Sequence, residues 1–586
     1  MMKKLILLPF VIVCFILQTE AQITENITID IGSLSLTDST NKPHMLGVIA
    51  GPSPNCGSPA PDLTSKFQDI GVTTIRNNDY QDDRLDMERM FFCGIYPVDS
   101  NTVQYPKWDC DPNDNQYYHF TESDAQFQNW LNGGFLPFFR LGGEFSNLIR
   151  DHDYKGPKSY EDTNWIKAAI KVVDRYNSFG GGTNTLKDYL NIWTEYPQKN
   201  FWERDSLEFN DFWCRSFDSL KTHFPDLKIG GPGFNTSVST KLGNNGIVKI
   251  WIKLFLQELK SRNLKPDWIG FHVFSNEVDD FYNAAINYRK LLRAEPPFNA
   301  YDTVWGSGNS SFFNGTELIC DAWGFDNDTN LSTSFRDSLF NKQRGAAHHA
   351  GAFIAFQQAD IERAYIYRGG EMIKDTTHSV MGLFQGDSIG NYKPAAYGFK
   401  LCSKMQTIYN KKLISPVNAT ASGGSKIWTL AGEDSIGNKA ILISNPTANT
   451  INVSLTINSI SLSTSLYPYV NQYSVTDNNN GETPLAWTNG AFVLTPYTAN
   501  LITMTNSALK INESSIEKQG ITIYPNPTNS SINFSKILDN IKVYNVYGQL
   551  ILSQPEAVKS ISIKEWNNGV YFIHSGNIIL KFVVER

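Results

Sequence analysis

Eight short apolar runs, separated by helix-patterned or loop-rich stretches, constrain this chain more than any other feature. They fall at residues 45–50, 72–77, 136–141, 189–193, 227–231, 268–274, 317–323 and 363–367. Apolar residues at helical spacing fill most of the intervals, as at 164–177, 211–222, 247–261 and 345–358. Strands that alternate with helices pair in parallel, because the helix serves as the crossover between neighbours. Eight such units predict a closed (β/α)8 barrel. A doubly wound open sheet is the competing arrangement. It is set aside because no glycine-rich dinucleotide turn follows a strand, and because the chemically capable residues fall at the ends of several strands.

After Lys412 the helical pattern stops, and short β-rich runs punctuated by Gly, Asn and Pro follow to about residue 506. These predict a β-sandwich over 411–506. The alternating segment Asn26-Ile27-Thr28-Ile29-Asp30-Ile31 predicts a strand within 22–40 that joins this sandwich, with the barrel (41–410) set between its pieces. Residues 507–518 read as a linker, and 519–586 as a small terminal β domain of immunoglobulin-like type. A chain of 586 residues is too long for one core, so a multidomain organisation is expected. The first 21 residues combine Lys3 and Lys4, an apolar run from Leu5 to Leu17 and a closing Ala21, the pattern of a signal peptide. The run is shorter than the ~20 residues a membrane span needs. No second span follows, so a secreted or cell-surface location is expected.

The net charge of −7 provides no basic footprint, and nucleic-acid binding is excluded as a function class. Aromatic residues make up 13% of the chain, enough for a large core and for sugar-stacking surfaces. No two cysteines are spaced Cys-x-x-Cys, and His348-His349 lack a metal-ligand partner at useful spacing. The Asp-rich runs 111–115 and 326–328 miss the calcium-loop pattern and read first as turns. No metal and no cofactor is expected. Cys93 and Cys110 flank one Asp-, Asn- and Pro-rich loop, and in an oxidising compartment they predict a disulfide. Cys214 and Cys320 read as buried thiols.

The chemistry centres on Asn191-Ile192-Trp193-Thr194-Glu195-Tyr196-Pro197. This is a short strand delivering one carboxylate, Glu195, at its C-terminal end, where barrel sites are built. Glycoside hydrolysis uses two carboxylates, one to protonate the leaving oxygen and one to attack or to activate water. Glu195, between the aromatics Trp193 and Tyr196, is the candidate proton donor. A strand-end salt bridge is the plainer reading of the same residue. Arg76, Arg140 and Arg368 at strand ends would orient carboxylates or hold an acidic sugar, with structural ion pairs as the alternative.

The barrel region resembles glycoside hydrolase family 39, the β-xylosidase and α-iduronidase type, over roughly residues 40–405. Arg76-Asn77-Asn78-Asp79 resembles its second-strand motif and Phe139-Arg140-Leu141-Gly142 its third. Residues 191–197 followed by Phe201-Trp202 resemble its acid/base motif. Gly230-Gly231-Pro232 and Phe271-His272-Val273-Phe274 resemble its fifth and sixth strands, and Gly382-Leu383-Phe384 with Lys393-Pro394-Ala395-Ala396-Tyr397 the exit from its barrel. The resemblance implies Glu195 as general acid/base. It implies substrate contacts from Arg76, Asp79, Arg140, Trp193, Thr194, His272, Phe274 and Trp323. His272 would hydrogen-bond the nucleophile or the substrate, although a lone His in an apolar strand is otherwise a core residue.

Two positions depart from the family. Thr194 stands where the family has the Asn that contacts the sugar 2-hydroxyl. The seventh strand reads Asp321-Ala322-Trp323 where the family has Thr-Glu-Trp, so the nucleophile position is Ala322. Asp321 is the candidate substitute, but adjacent strand residues point to opposite faces, so it needs a bulge or a strand-end twist to reach the site. Glu144 and Glu371 are further candidates.

The tail resembles the C-terminal sorting domain of type IX secretion substrates. It opens Ile523-Tyr524-Pro525-Asn526-Pro527, continues through Val543-Tyr544-Asn545-Val546-Tyr547-Gly548, and carries Gly569-Val570-Tyr571-Phe572. These are the three motifs of that domain in order, and they imply the type IX secretion machinery as partner. The expected function is hydrolysis of O-glycosidic bonds in a polysaccharide or oligosaccharide. The alternative is a catalytically inactive glycan-binding protein on the same scaffold, on account of Ala322.

Overall fold

In the computed structural model, residues 23–32, 40–52, 61–77, 83–93, 108–143, 156–182, 185–186, 189–196, 201–234, 250–326, 331–370, 381–413, 418–487, 489–505, 523–545, 550–575 and 578–585 are described. Residues 1–21, read as a signal peptide, residues 507–518, read as a linker, and Cys56, Asp79, Glu144 and Glu371 lie outside them.

The N-terminal strand β1 (Thr24–Asp30) is followed by eight parallel strands that close into a barrel. These are β2 (Gly47–Ile49), β3 (Thr74–Arg76), β4 (Leu136–Arg140), β5 (Tyr189–Asn191), β6 (Lys228–Gly230), β7 (Trp268–Phe274), β8 (Glu317–Gly324) and β9 (Arg363–Ile366). Each lies inside or on one of the eight apolar runs read from the sequence. The two-residue period of a strand sorts the side chains into layers. At the N-terminal end of the barrel, the Tyr189 hydroxyl donates to Glu317 (2.6 Å), and the Arg363 guanidinium lies 3.9 Å from the Tyr189 ring centre. One step up, Phe138 packs against Trp268 (5.2 Å) and Tyr365 (4.7 Å). Further along the strands come Arg76, Arg140, Asn191, His272 and Asp321, all buried. Aromatic packing fills the lower barrel, so the polar layer above it has a dry floor.

The helix Gln343–Gln358 is buried on nearly every side. Its run of Gly345, Ala346, Ala347, Ala350, Gly351 and Ala352 lets it approach both the barrel helices and the sandwich. Ser444 Oγ of the sandwich donates to the Ala347 carbonyl at 2.6 Å. His348 and His349 of this helix are buried, against Phe281, Trp323, Phe325 and Phe399, as packing residues.

The sandwich consists of two sheets with their own apolar core, including Ile29, Ile441, Ile443, Val453 and Ile502. β1 enters it as expected, in parallel register with Thr450–Ile457. Glu25 pins that strand by accepting from the Gly423 N–H at 2.8 Å and from Asn449 Nδ2 at 2.8 Å.

The second compact unit, residues 507–586, contains two small antiparallel sheets around a separate core with Ile532, Phe534, Val543, Ile573 and Phe582. Among the described residues no helix is long and apolar enough to cross a membrane. Cys93 and Cys110 are side-chain partners of each other, and Cys93 Sγ also donates to Asp109 Oδ1 at 3.1 Å. Cys214 and Cys320 are buried thiols.

Candidate active site

At the C-terminal mouth of the barrel, the chain leaves β5 at Asn191 and turns twice in direction. Ile192 and Trp193 pass into the outer layer, Thr194 points inward, and Glu195 has φ +53°. A non-glycine residue with positive φ is uncommon and is held only where its surroundings over-determine it. Here the Glu195 N–H donates to the Gly233 carbonyl (3.1 Å) and its side chain meets His272. The consequence is that consecutive residues, Thr194 and Glu195, both face the site. The Glu195 side chain is 18% exposed, while those of Arg76 and Asp321 are fully buried.

β8 makes the second departure from regular geometry. Phe271 pairs with Cys320, but His272 pairs with Ala322, so Asp321 is an extra residue in the wall. Asp321 faces inward in step with Ile319, and the bulge turns Ala322 inward beside it. Asp321 Oδ2 accepts from Arg76 Nη2 at 3.1 Å and from Asn191 Nδ2 at 3.1 Å, and lies 3.5 Å from His272 Nε2. Two glycines make room for it. A Cβ on Gly270 would come within 2.7 Å of Asp321 Oδ1, and one on Gly233 within 2.6 Å of Oδ2.

His272 stands between the two carboxylates, with Nδ1 at 3.1 Å from Glu195 Oε1 and Nε2 on the Asp321 side. Burial alone would depress its pKa, but Asp321 and Glu195 outweigh it and push the ring up to about 9. Asp321 shows the mirror pattern. Burial would raise it, while His272 and Arg76 hold it below the usual carboxylate range.

Arg76 also donates to Thr194 Oγ1 at 2.9 Å. Arg140 pairs with Asp86 at 2.6 Å, and Asn77 brackets its backbone by accepting from the Arg140 N–H and donating to the Arg140 carbonyl. The arginines thus form buried ion pairs rather than presenting their charge at the open mouth.

The placement of the two tryptophans corrects the expectation that they line the mouth. Trp193 lies in the helix layer against Trp165, Trp202 and Phe212, with its Nε1 donating to the Phe201 carbonyl at 3.0 Å. Trp323 packs outward against Phe281, His349, Phe356 and Phe399. The physical reason is the same in both strands: a break in alternation just before each tryptophan turns it to the outer face. Phe274 does border the mouth, half-buried in edge-to-face contact with Tyr367 at 6.1 Å. Both pack against an apolar cluster that contains Ile49, Ala50 and Ala322.

Asn191, Asp86 and Tyr367 are residues the sequence reading missed. Asn191 and Tyr367 had a signal, since each ends a barrel strand on the inward period. Asp86 sits in the loop after β3 and had none.

Residues 88–307 match the family model "Glycosyl hydrolases family 39", and residues 522–584 match "Secretion system C-terminal sorting domain". Among solved structures, a glucosidase from Croceicoccus marinus superposes with a TM-score of 0.59 at 15% identity, covering 83% of this chain and 100% of that one. A monomeric β-xylosidase from Caulobacter crescentus gives 0.54 at 14% identity, covering 82% and 100%. An α-L-arabinofuranosidase from Thermotoga maritima gives 0.53 at 12%, covering 82% and 99%. At such identities the likeness concerns the fold. No curated protein matches the chain in a sequence comparison.

Proposed function

We propose that this chain, a secreted glycosidase-like protein with a family 39 glycosyl hydrolase domain and a type IX secretion sorting tail, hydrolyses O-glycosidic bonds at the barrel mouth with Glu195 as the acid/base group. The observation that carries this reading is the setting of Glu195. It is a partly exposed carboxylate at the C-terminal end of a barrel strand, oriented by His272 from below and bordered by a polar floor. In this reading Glu195 protonates the leaving oxygen, and Phe274 and Tyr367 offer apolar faces to the sugar. Asp321 serves as a positioning residue that holds Arg76, Asn191 and His272. Its carboxylate lies beneath the imidazole and is fully buried, a poor place from which to attack an anomeric carbon.

A second reading has specific support. The position that carries the nucleophile in the resemblance is Ala322, a methyl group in an apolar cluster. A barrel with one reacting carboxylate suits glycan binding without turnover. One experiment separates the two: release of aryl leaving groups from a panel of aryl glycosides, with calorimetric titration of the matching oligosaccharides, for wild type and Glu195→Gln. Hydrolysis requires turnover that falls by about 10²–10⁴ in the variant. Binding alone requires no turnover in either protein and an affinity that survives the substitution.

A further inference from the structure

The ring of His272 lies between two carboxylates, and carboxylates can only accept. Nδ1 faces Glu195 Oε1 at 3.1 Å and Nε2 faces Asp321 Oδ2 at 3.5 Å. A neutral imidazole carries one N–H and can satisfy only one of them. Both contacts are favourable if the ring carries two protons, or if Glu195 carries the second and donates it to Nδ1. These are two positions of one proton along a single hydrogen bond. Arg76 cancels the charge of Asp321 at 3.1 Å, so the proton can sit at either end while the cluster stays neutral overall.

Among the described residues, the charged groups that shift the ring are Asp321 and Glu195. Gly233 lies against the ring at Nε2 without a side chain, and the Phe234 carbonyl accepts from the backbone N–H of His272 at 2.8 Å. The Tyr288 hydroxyl and the Cys320 thiol, behind Asp321, are held protonated by burial. Arg140 is occupied by Asp86.

We propose that His272 is the proton store of this site, a positioning residue that keeps one proton available to Glu195 for each donation. The step balances. Nδ1 of His272 hands its proton to Glu195, and the leaving-group oxygen takes that one proton as the glycosidic C–O bond breaks, which leaves Glu195 as a carboxylate. The ring is left neutral, its remaining proton on Nε2 toward Asp321. When water attacks the sugar carbon, the proton it loses returns through Glu195 to Nδ1. Asp321, one residue before the missing nucleophile, thereby acts on the chemistry from beneath the ring without touching substrate. The inference rests on the reading of Glu195 as the acid/base group.

The test pairs a spectroscopic readout with a kinetic one on the full chain. In histidine-labelled protein, ring nitrogen NMR, assigned by loss of signal in His272→Gln, reports the protons on His272 directly. The expected result is a doubly protonated ring at pH 7 that titrates near pH 9, and at lower pH in Asp321→Asn. On an aryl glycoside, the descending limb of kcat/KM against pH should coincide with that titration, and His272→Gln should move it to lower pH with about a 10²-fold loss at pH 8. A ring that is singly protonated at pH 7, with no shared proton, overturns the inference. So does turnover whose descending limb is unmoved in His272→Gln, and that outcome leaves the hydrolase reading standing. The expected titration with no turnover on any glycoside sinks the hydrolase reading, and the return of the proton with it, while the location of the proton stands.

Discussion

Asp321 and Ala322 are consecutive residues of one strand, yet both lie on the inner side of the barrel wall, because β8 bulges at Asp321. Regular alternation would have sent one of them into the helix layer. The bulge instead leaves a methyl group among the apolar residues of the mouth, beside the acid buried beneath His272.

The first prediction follows from that pairing. Ala322→Glu adds a second carboxylate above the buried one, on the side of Phe274 and Tyr367. The expected outcome is a rise in aryl-glycoside turnover of at least about 10²-fold. Initial rates of leaving-group release measure it. An unchanged or lower rate would show that this position does not point at the reacting carbon.

The Arg76–Asp321 pair is fully buried on both sides. Removing one partner strands the other charge in a dry interior, which costs about 3–5 kcal/mol. Asp321→Ala and Arg76→Met should each lose stability of that order in urea titrations. The double variant Arg76→Met with Asp321→Leu should regain much of it. A loss in the double variant equal to the sum of the two single losses would mean that the pair is not electrostatically coupled.

The histidines divide the pH dependence of stability into two limbs. Burial holds His349 at about 3, with Lys393 adding to the effect, and keeps His348 well below its ordinary value. The unfolded chain therefore binds protons below pH 6.5 that the native state refuses, and stability falls by about 1.4 kcal/mol per histidine per pH unit on the way down. His272 is shifted the other way, up to about 9, so its contribution is complete below pH 6.5 and lost as pH rises through 9. Unfolding free energies between pH 4 and 10 should show both limbs. His349→Leu should flatten the acid limb and His272→Gln the alkaline one; a swap of these effects would reverse the assignment.

Cys93 and Cys110 are already hydrogen-bonded partners, so an exported chain exposed to a disulfide oxidant should join them. Closing the loop between them is worth about 3 kcal/mol in the chain-entropy account. Mass mapping of non-reduced protein should find the linked peptides, and a reductant should lower Tm. Two alkylatable thiols in secreted protein would contradict this.

Residues 507–586 form a compact unit with their own core. A chain ending at Asn506 should unfold at the same temperature as the barrel and sandwich of the full protein, and should fail to reach the cell surface. Calorimetry and surface labelling check the two halves separately. An insoluble truncation, or one still displayed at the surface, would refute the division.

The eight-stranded barrel, the entry of β1 into the sandwich and the tail domain were all legible in the sequence. They rest on periodicity and on ordered local motifs, and both are properties of neighbours along the chain. The place of Glu195 just past the end of β5 was legible for the same reason, while its role is a proposal. What the sequence left open was direction. Alternation predicts which way a side chain points only while the strand stays regular, and the candidate site residues Glu195 and Asp321 lie where it does not. The positive φ at Glu195 and the bulge at Asp321 are held by contacts with Gly233, Gly270 and His272, which come from other strands. The same tertiary structure packs Trp193 and Trp323 outward, pairs Arg76 with Asp321 and Arg140 with Asp86, and sets His272 between two acids. Only the closed barrel brings Arg76, Asn191 and His272 around Asp321, because no local interaction along the chain links them.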